Sequence, residues 1–253
     1  MSEKRQQGVQ SVEIGLALAR ALARHGPTMT LKDLAAAARM APAKAHRYLV
    51  SLIRAGIVDQ DPASAKYRLG PAAIEIGMAA LSTADVLRFG AEIILNVRDA
   101  IDETVFIALW SERGPVIVRW EESSRPVAVN VRPGSIMPLV RSATGRIFAA
   151  FMPEKIVRPM IDAELAAKPP LEDTWENVLA ATRRTRMGRV EGVMMAGVSG
   201  LAAPVFDHQG KMVAAVASMG TDRIFDARLD GKIVPALRNA AEELSRRLGH
   251  SGG

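Results

Sequence analysis

Met40-Ala-Pro-Ala-Lys-Ala-His-Arg-Tyr-Leu-Val-Ser-Leu-Ile-Arg-Ala-Gly56 sets the expected architecture of the first third of the chain. Ala45, Leu49, Leu52 and Ile53 recur at three- and four-residue spacing, which predicts a helix with one buried stripe. Ala43, Lys44, His46, Arg47 and Arg54 fall on the other side, so cations and hydrogen-bond donors point outward. Gly56 is placed to stop the helix, and Ile57-Val58-Asp59 then turns into a short apolar strand. A basic helix of this length is what a DNA-reading helix-turn-helix requires, because the major groove admits a helix and arginines and lysines hold phosphates. Taken alone, the window also fits an ordinary amphipathic helix with a solvated basic face.

The flanking residues decide between these readings. Upstream, Val12, Leu16, Ala19, Leu22 and Ala23 follow helical spacing over residues 10–25, and Gly26-Pro27 ends the run. Thr30 is placed to cap a second helix over residues 31–39, with Asp33 reaching back to the Thr30 amide. Downstream, residues 57–60 and 66–70 read as two strands joined by Asp61-Pro-Ala-Ser64. The second strand alternates Lys66 and Arg68 with Tyr67 and Leu69, so one face packs and the other offers cations to a phosphate backbone. Three helices and a basic hairpin form a winged helix-turn-helix.

Charge agrees with this placement. The 253 residues carry a net charge of +6, and residues 1–82 hold eleven basic against six acidic side chains, while the rest is nearly neutral. There are no cysteines, which excludes disulfides, thiolate catalysis and Cys-based metal sites. The polar start and the lack of a long apolar run predict a cytoplasmic protein without membrane contact.

Residues 71–82 read as a helix opened by Pro71, joining the halves, and residues 84–101 as another. Runs at 104–110, 115–121 and 127–132 then have strand composition. Helices are expected at 144–151, 154–165 and 173–187, with a break at Lys168-Pro-Pro170. Strands follow near 189–195, at 200–206 and at 211–219, and a last helix at 227–248. The fold class is α+β with one antiparallel sheet in the second half. The expected division is a DNA-binding winged helix at 1–70, a linker helix at 71–83 and a second domain at 84–253.

No catalytic or metal constellation emerges. His25, His46, His208 and His250 are scattered without ligand spacing. Gly197-Val-Ser-Gly200 lacks the flanking pattern of a nucleophile elbow, so Ser199 reads as a loop residue before a strand. Gly188 and Gly192 read as isolated loop glycines, and Glu121-Glu122 and Glu242-Glu243 as solvated pairs. Trp110 and Trp120, on adjacent strands, belong either to core or interface, or to one wall of a small-molecule pocket.

The order of motifs resembles the IclR family of bacterial transcriptional regulators over nearly the whole chain. It is carried by Ser11-Val-Glu13, Thr30-Leu-Lys-Asp-Leu-Ala35, Ala41-Pro-Ala-Lys-Ala-His-Arg-Tyr-Leu49, Tyr67-Arg-Leu-Gly70, Met137-Pro-Leu-Val-Arg-Ser-Ala-Thr-Gly-Arg146 and Leu201-Ala-Ala-Pro-Val-Phe-Asp207. The resemblance implies a GAF-like α/β effector-binding domain behind the winged helix. It also implies dimers or dimers of dimers, palindromic operator DNA and a small-molecule effector, with no cofactor. By position, Thr30, Ala43, Lys44, His46, Arg47, Lys66 and Arg68 would face DNA, with Lys44 and His46 toward base edges and Arg47 toward phosphate. The effector cleft would take Arg141, Ser142, Ala143, Thr144 and Gly145, with Val190, Gly200, Ala217 and Met219 from later strands and Phe106 and Trp110 from the first. Acid-binding members place acidic and small polar side chains where this chain has Val190, Gly200, Ala217 and Met219, and Val140 replaces a common His. That points to a larger, less polar effector, such as an aromatic or longer-chain acid, with Arg141 either its carboxylate clamp or a partner in an ion pair. The rival is an enzyme or metabolite sensor whose winged helix serves protein contacts.

Overall fold

A proline opens the helix quoted above, and a left-handed glycine closes it. In the computed structural model, which describes residues 8–82, 85–124, 131–167 and 171–251, α3 spans Pro42–Arg54. Pro42 takes the first turn, where its missing N–H costs nothing. At the other end Gly56 adopts φ +70°, the Gly56 amide donates to Ile53 O (2.9 Å) and the Ile57 amide to Leu52 O (3.0 Å). These two bonds form a Schellman motif.

The chain divides into units 1–83 and 84–253. In the first, α1 (Gln10–His25), α2 (Leu31–Ala37) and α3 are followed by β1 (Val58–Gln60), β2 (Tyr67–Leu69) and α4 (Pro71–Ser82). Leu18, Leu22, Leu34, Ala35, Ala45, Leu49, Val58 and Tyr67 make its core. Tyr67 is the hinge of the wing: its backbone pairs with Gln60 on one side and exchanges two bonds with Met29 on the other.

Several expectations change here. On α1 the buried residues are Gly15, Leu18, Ala19, Ala21 and Leu22, whereas Val12, Leu16 and Ala23 are exposed. The helix carries two apolar stripes, and periodicity alone does not say which one packs. Ile53 and Leu69 are exposed rather than buried. α2 stops at Ala37, because Arg39 takes the left-handed position (φ +53°) and the Met40 amide returns to Ala35 O.

In the second unit α5 (Asp85–Ile101) precedes β3 (Thr104–Ser111) and β4 (Gly114–Glu121), and α6 (Ala143–Phe151), α7 (Glu154–Ala167) and α8 (Trp175–Thr185) follow. β5 (Gly188–Glu191), β6 (Val198–Phe206), β7 (Met212–Thr221) and α9 (Ile233–Arg247) complete it. The sheet order is β4-β3-β7-β6-β5, antiparallel at every pairing. α5 and α9 cover one face through Val105, Ile107, Leu201, Val205 and Val216. α6, with α7 and α8 around it, covers the other through Phe106, Ala108, Ala202, Ala215 and Ala217. Burial on both faces explains why β6 and β7 read as continuous apolar runs.

Residues 127–130 of the expected third strand lie outside the described residues, as does the expected break at 168–170. Val131 and Arg132 are not in a strand; instead residues 134–137 run along the outer edge of β4 (Gly134 N to Ile117 O 2.8 Å, Met137 N to Pro115 O 2.8 Å). The last helix begins at Ile233, not 227, because the Asp226 carboxylate holds the Arg228 amide and side chain in a turn. α8 is trimmed to its Thr174 cap and a left-handed Arg186.

Candidate nucleic-acid interface and effector cavity

α3 presents Ala43, Lys44, His46 and Arg47 to solvent while Ala45 and Leu49 are fully buried behind them. The outward cations are therefore carried on a helix pinned from its inner face. Burying Leu49 stabilises that anchoring by about 2 kcal/mol. The Thr30 cap forms, with its Oγ1 accepting from the Asp33 amide (3.2 Å). The return bond differs from the expectation: the Thr30 hydroxyl donates to Asp33 Oδ2 (2.7 Å) instead of the carboxylate taking the Thr30 amide.

On the wing, Lys66 is exposed, but Arg68 is not a free cation. Asp59 lies opposite it in register and accepts its Nε and Nη2 at 2.9 and 2.6 Å. Those hydrogen bonds push the Arg68 pKa up. Sequence reasoning also passed over Arg39, which faces a groove of about 460 Å³ with Arg20, Arg24 and His25.

In the second unit the expected cleft residues split three ways. Phe106, Ser142, Ala143, Thr144, Val190, Gly200 and Met219 line one cavity, joined by Met137, Met194, Val198, Ser199 and Ser218, which the sequence did not single out as cleft residues. Val190, Gly200, Met219 and Thr104 form a cross-strand row, and Gly200 in its middle leaves the space under the start of α6. The cavity holds only about 20 Å³, room for one water-sized sphere. Three methionines wall it, side chains whose unbranched torsions rearrange readily.

A second group does structural work. Ser142 caps α6, accepting from the Gly145 amide (2.8 Å) and donating to Pro138 O (2.7 Å). The Val140 and Arg141 amides both go to the Glu164 carboxylate (3.1 Å each). These amides of the loop are thus spent internally. Gly145 has no room for a Cβ, which would meet the Pro138 carbonyl, so it is a packing glycine. Ala217 is buried between Phe106 and Ala202 without reaching the cavity, and Trp110 packs against Phe148 with ring centroids 5.7 Å apart.

Arg141 forms the third group. It opens onto a separate groove of about 510 Å³ with Arg146 and Arg189, and Val190 is the wall common to groove and cavity. Ser199 is within β6, not in a loop, and its buried hydroxyl donates to Asp222 Oδ1 (2.5 Å). Gly188, expected in a loop, opens β5 against the Ala143 carbonyl. Among the described residues no group of three or more His, Asp or Glu side chains is arranged to hold a metal, and no helix is long and apolar enough to cross a membrane.

Comparison with known proteins agrees with this architecture. Residues 11–62 match the IclR helix-turn-helix domain, and residues 78–246 match the bacterial transcriptional regulator IclR C-terminal domain. The glycerol operon regulatory protein of Streptomyces griseus is 30% identical, over 95% of this chain and 97% of that one. The crystal structure of Pseudomonas aeruginosa HmgR is 37% identical with a TM-score of 0.62, covering 97% of this chain and 100% of that one. An IclR homolog from Microbacterium hydrocarbonoxydans, complexed with 4-hydroxybenzoate, shares the fold at a TM-score of 0.75 and 18% identity, over 94% of this chain and 98% of that one. With the two domain models matched in order along one chain, this protein belongs to the IclR family of DNA-binding transcriptional regulators.

Proposed function

We propose that this regulator binds a palindromic operator through α3 and the wing, and that a small organic acid, aromatic or long-chain, modulates that binding from the second unit. The exposed Lys44-His46-Arg47 face, on a helix anchored by buried Ala45 and Leu49, is the observation that carries the DNA reading. Ala43, Lys44 and His46 meet base edges, Arg47 and Lys66 meet phosphates, and Thr30 sits at the start of the supporting helix. Arg68 joins them once a phosphate outcompetes Asp59.

Phe106, the methionines and the bare Gly200 make the cavity suited to an apolar body. The 4-hydroxybenzoate complex of the Microbacterium protein supports an aromatic acid as a ligand for this fold. Entry requires the methionines to swing out, since the closed cavity is smaller than any such acid. Residues 71–83 act as the linker helix, and residues 71–100 couple the two units. The protein acts in the cytoplasm as a dimer or dimer of dimers; exposed Val9, Val12 and Leu16 on and beside α1, with Ile74, Ile76 and Met78 on α4, offer apolar surface for self-association. In a dimer the two recognition helices meet half-sites about 34–36 Å apart or a multiple of that, so a small hinge change alters affinity. The chain needs no catalytic step for this role.

Replacing Lys44→Ala together with Arg47→Ala is expected to abolish operator binding while leaving the fold and effector binding intact, read by mobility shift and circular dichroism. A panel of acids in a thermal-shift assay tests the effector reading. Aromatic or longer-chain acids should raise the melting temperature; stabilisation by short polar acids alone contradicts it.

A further inference from the structure

Three methionines wall the apolar cavity, but their backbones are held unequally. Met219 lies within β7, paired with Thr104 on one side and Gly200 on the other. The Met137 amide donates to Pro115 O (2.8 Å) along the edge of β4. Both are buried, and their side chains can change rotamer without their backbones leaving the wall. Met194 is different. It is half-buried on residues 192–197, the connection from β5 to β6, which forms neither helix nor strand. Left-handed glycines stand at both ends, Gly192 at φ +64° and Gly197 at φ +78°.

The tethers of this segment gather at its ends. The Gly192 amide donates to Val198 O (3.0 Å), and Gly197 O accepts from the Asp222 amide (3.0 Å). The Ser199 hydroxyl fixes the Asp222 carboxylate in turn. Between the ends the Val198 amide reaches Met195 O (3.1 Å), and among the described residues the amides of 193–197 donate to no backbone carbonyl. A segment with so few internal bonds opens at a free energy well below that of unfolding the whole domain. Its position gives that opening a consequence. Gly192 and Val193 line the 510 Å³ groove, Met194 lines the cavity, and Val190 borders both. The segment is therefore part of the partition between an open groove and a closed cavity.

We propose that residues 192–197 are a strap over the apolar cavity, hinged at Gly192 and Gly197, and that a ligand enters from the groove side when the strap carries Met194 out of the wall. The rest of the wall stays in place, so the ligand meets a fixed floor and one moving side. This deepens the effector reading and rests on it for the identity of what enters, while the opening itself is a property of the chain alone.

The chain has no cysteine, so one introduced thiol reports on one place. Met219→Cys puts it inside the cavity, and its alkylation by iodoacetamide, followed by mass spectrometry of the intact chain, reads how often the cavity opens. Two further substitutions locate the opening. Gly197→Ala and Gly134→Ala each place a Cβ in open space at a positive φ, +78° and +89°, and so strain the closed backbone without a clash. Gly197 ends the strap, whereas Gly134 lies in the segment that carries Met137 along β4. Opening of the strap relieves strain at Gly197→Ala alone, so that substitution should raise the alkylation rate about fivefold or more and Gly134→Ala should leave it unchanged. The proposal is overturned if both raise the rate alike, which is exposure by unfolding of the whole domain. It is overturned too if Gly134→Ala alone raises it, if neither does, or if the thiol does not react. Should Met219→Cys not fold, Ala143→Cys, also on the cavity wall, carries the same comparison. No ligand is present in any arm, so failure of the effector reading leaves this result unaffected.

Discussion

Gly145, Gly188 and Gly200 lie around the start of α6, and each lacks a side chain to different effect. A Cβ on Gly145 would collide with the Pro138 carbonyl, and one on Gly188 with the Ala143 carbonyl. Both neighbours are backbone and cannot step aside. Gly145→Ala and Gly188→Ala are each expected to destabilise the fold by about 2–3 kcal/mol, measured by urea denaturation. Gly200→Ala should fold normally, because its Cβ would lie 3.4 Å from Ser218 O, 3.6 Å from Val190 Cγ2 and 3.7 Å from Ala143 Cβ, all at van der Waals distance. It fills the cavity, so it should reduce the thermal shift given by an aromatic acid. Sequence position places Gly145 and Gly200 in one cleft and Gly188 in a loop, but only Gly200 borders the cavity. Nothing in a single sequence separates a glycine kept for close packing from one that leaves room for a ligand. The same holds for Ser142, whose spacing before Gly145 is also that of a helix cap.

Element ends were legible where a residue type had a steric reason to be there. Gly56 ends α3 as expected, since only its missing Cβ makes φ +70° cheap. Arg39 fills the equivalent position after α2 with no such advantage, so no residue type marks the stop and α2 ends two residues before the expected Arg39. Arg39→Gly should therefore stabilise the protein by about 0.5–1 kcal/mol, visible as a higher melting temperature. At the other end of α2, Thr30→Ala should cost about 1 kcal/mol through loss of the cap. The wing shows what strand alternation does not reveal. Asp59 and Arg68 sit nine positions apart in sequence, and only the register brings them together. Asp59→Asn frees Arg68, so it is expected to leave the melting temperature unchanged while raising affinity for bulk duplex DNA in fluorescence anisotropy. Unchanged DNA affinity would remove Arg68 from the interface.

At the scale of the whole molecule, the proposed role of the first unit draws on both its charge and its apolar surface. Cations on α3 face outward, and Ile74, Ile76 and Met78 on α4 are exposed at 60% or more. Replacing these three by Glu should shift sedimentation toward the monomer and weaken binding to a two-half-site operator more than to a single half-site. The layout of two units was readable because hydrophobic period and charge balance change along the chain. The shut cavity and the separate arginine groove were not, since both depend on which side chains from distant segments meet. Fluorescence anisotropy of the intact chain on palindromic fragments flanking its own gene, titrated with salt, with and without an aromatic acid, reads operator recognition and its control by ligand together. A promoter-specific complex is expected whose affinity falls steeply with salt, shifts when the acid is added, and vanishes in the Lys44→Ala/Arg47→Ala variant. Equal affinity for promoter and bulk duplex, with the acid and without it, would contradict this expectation.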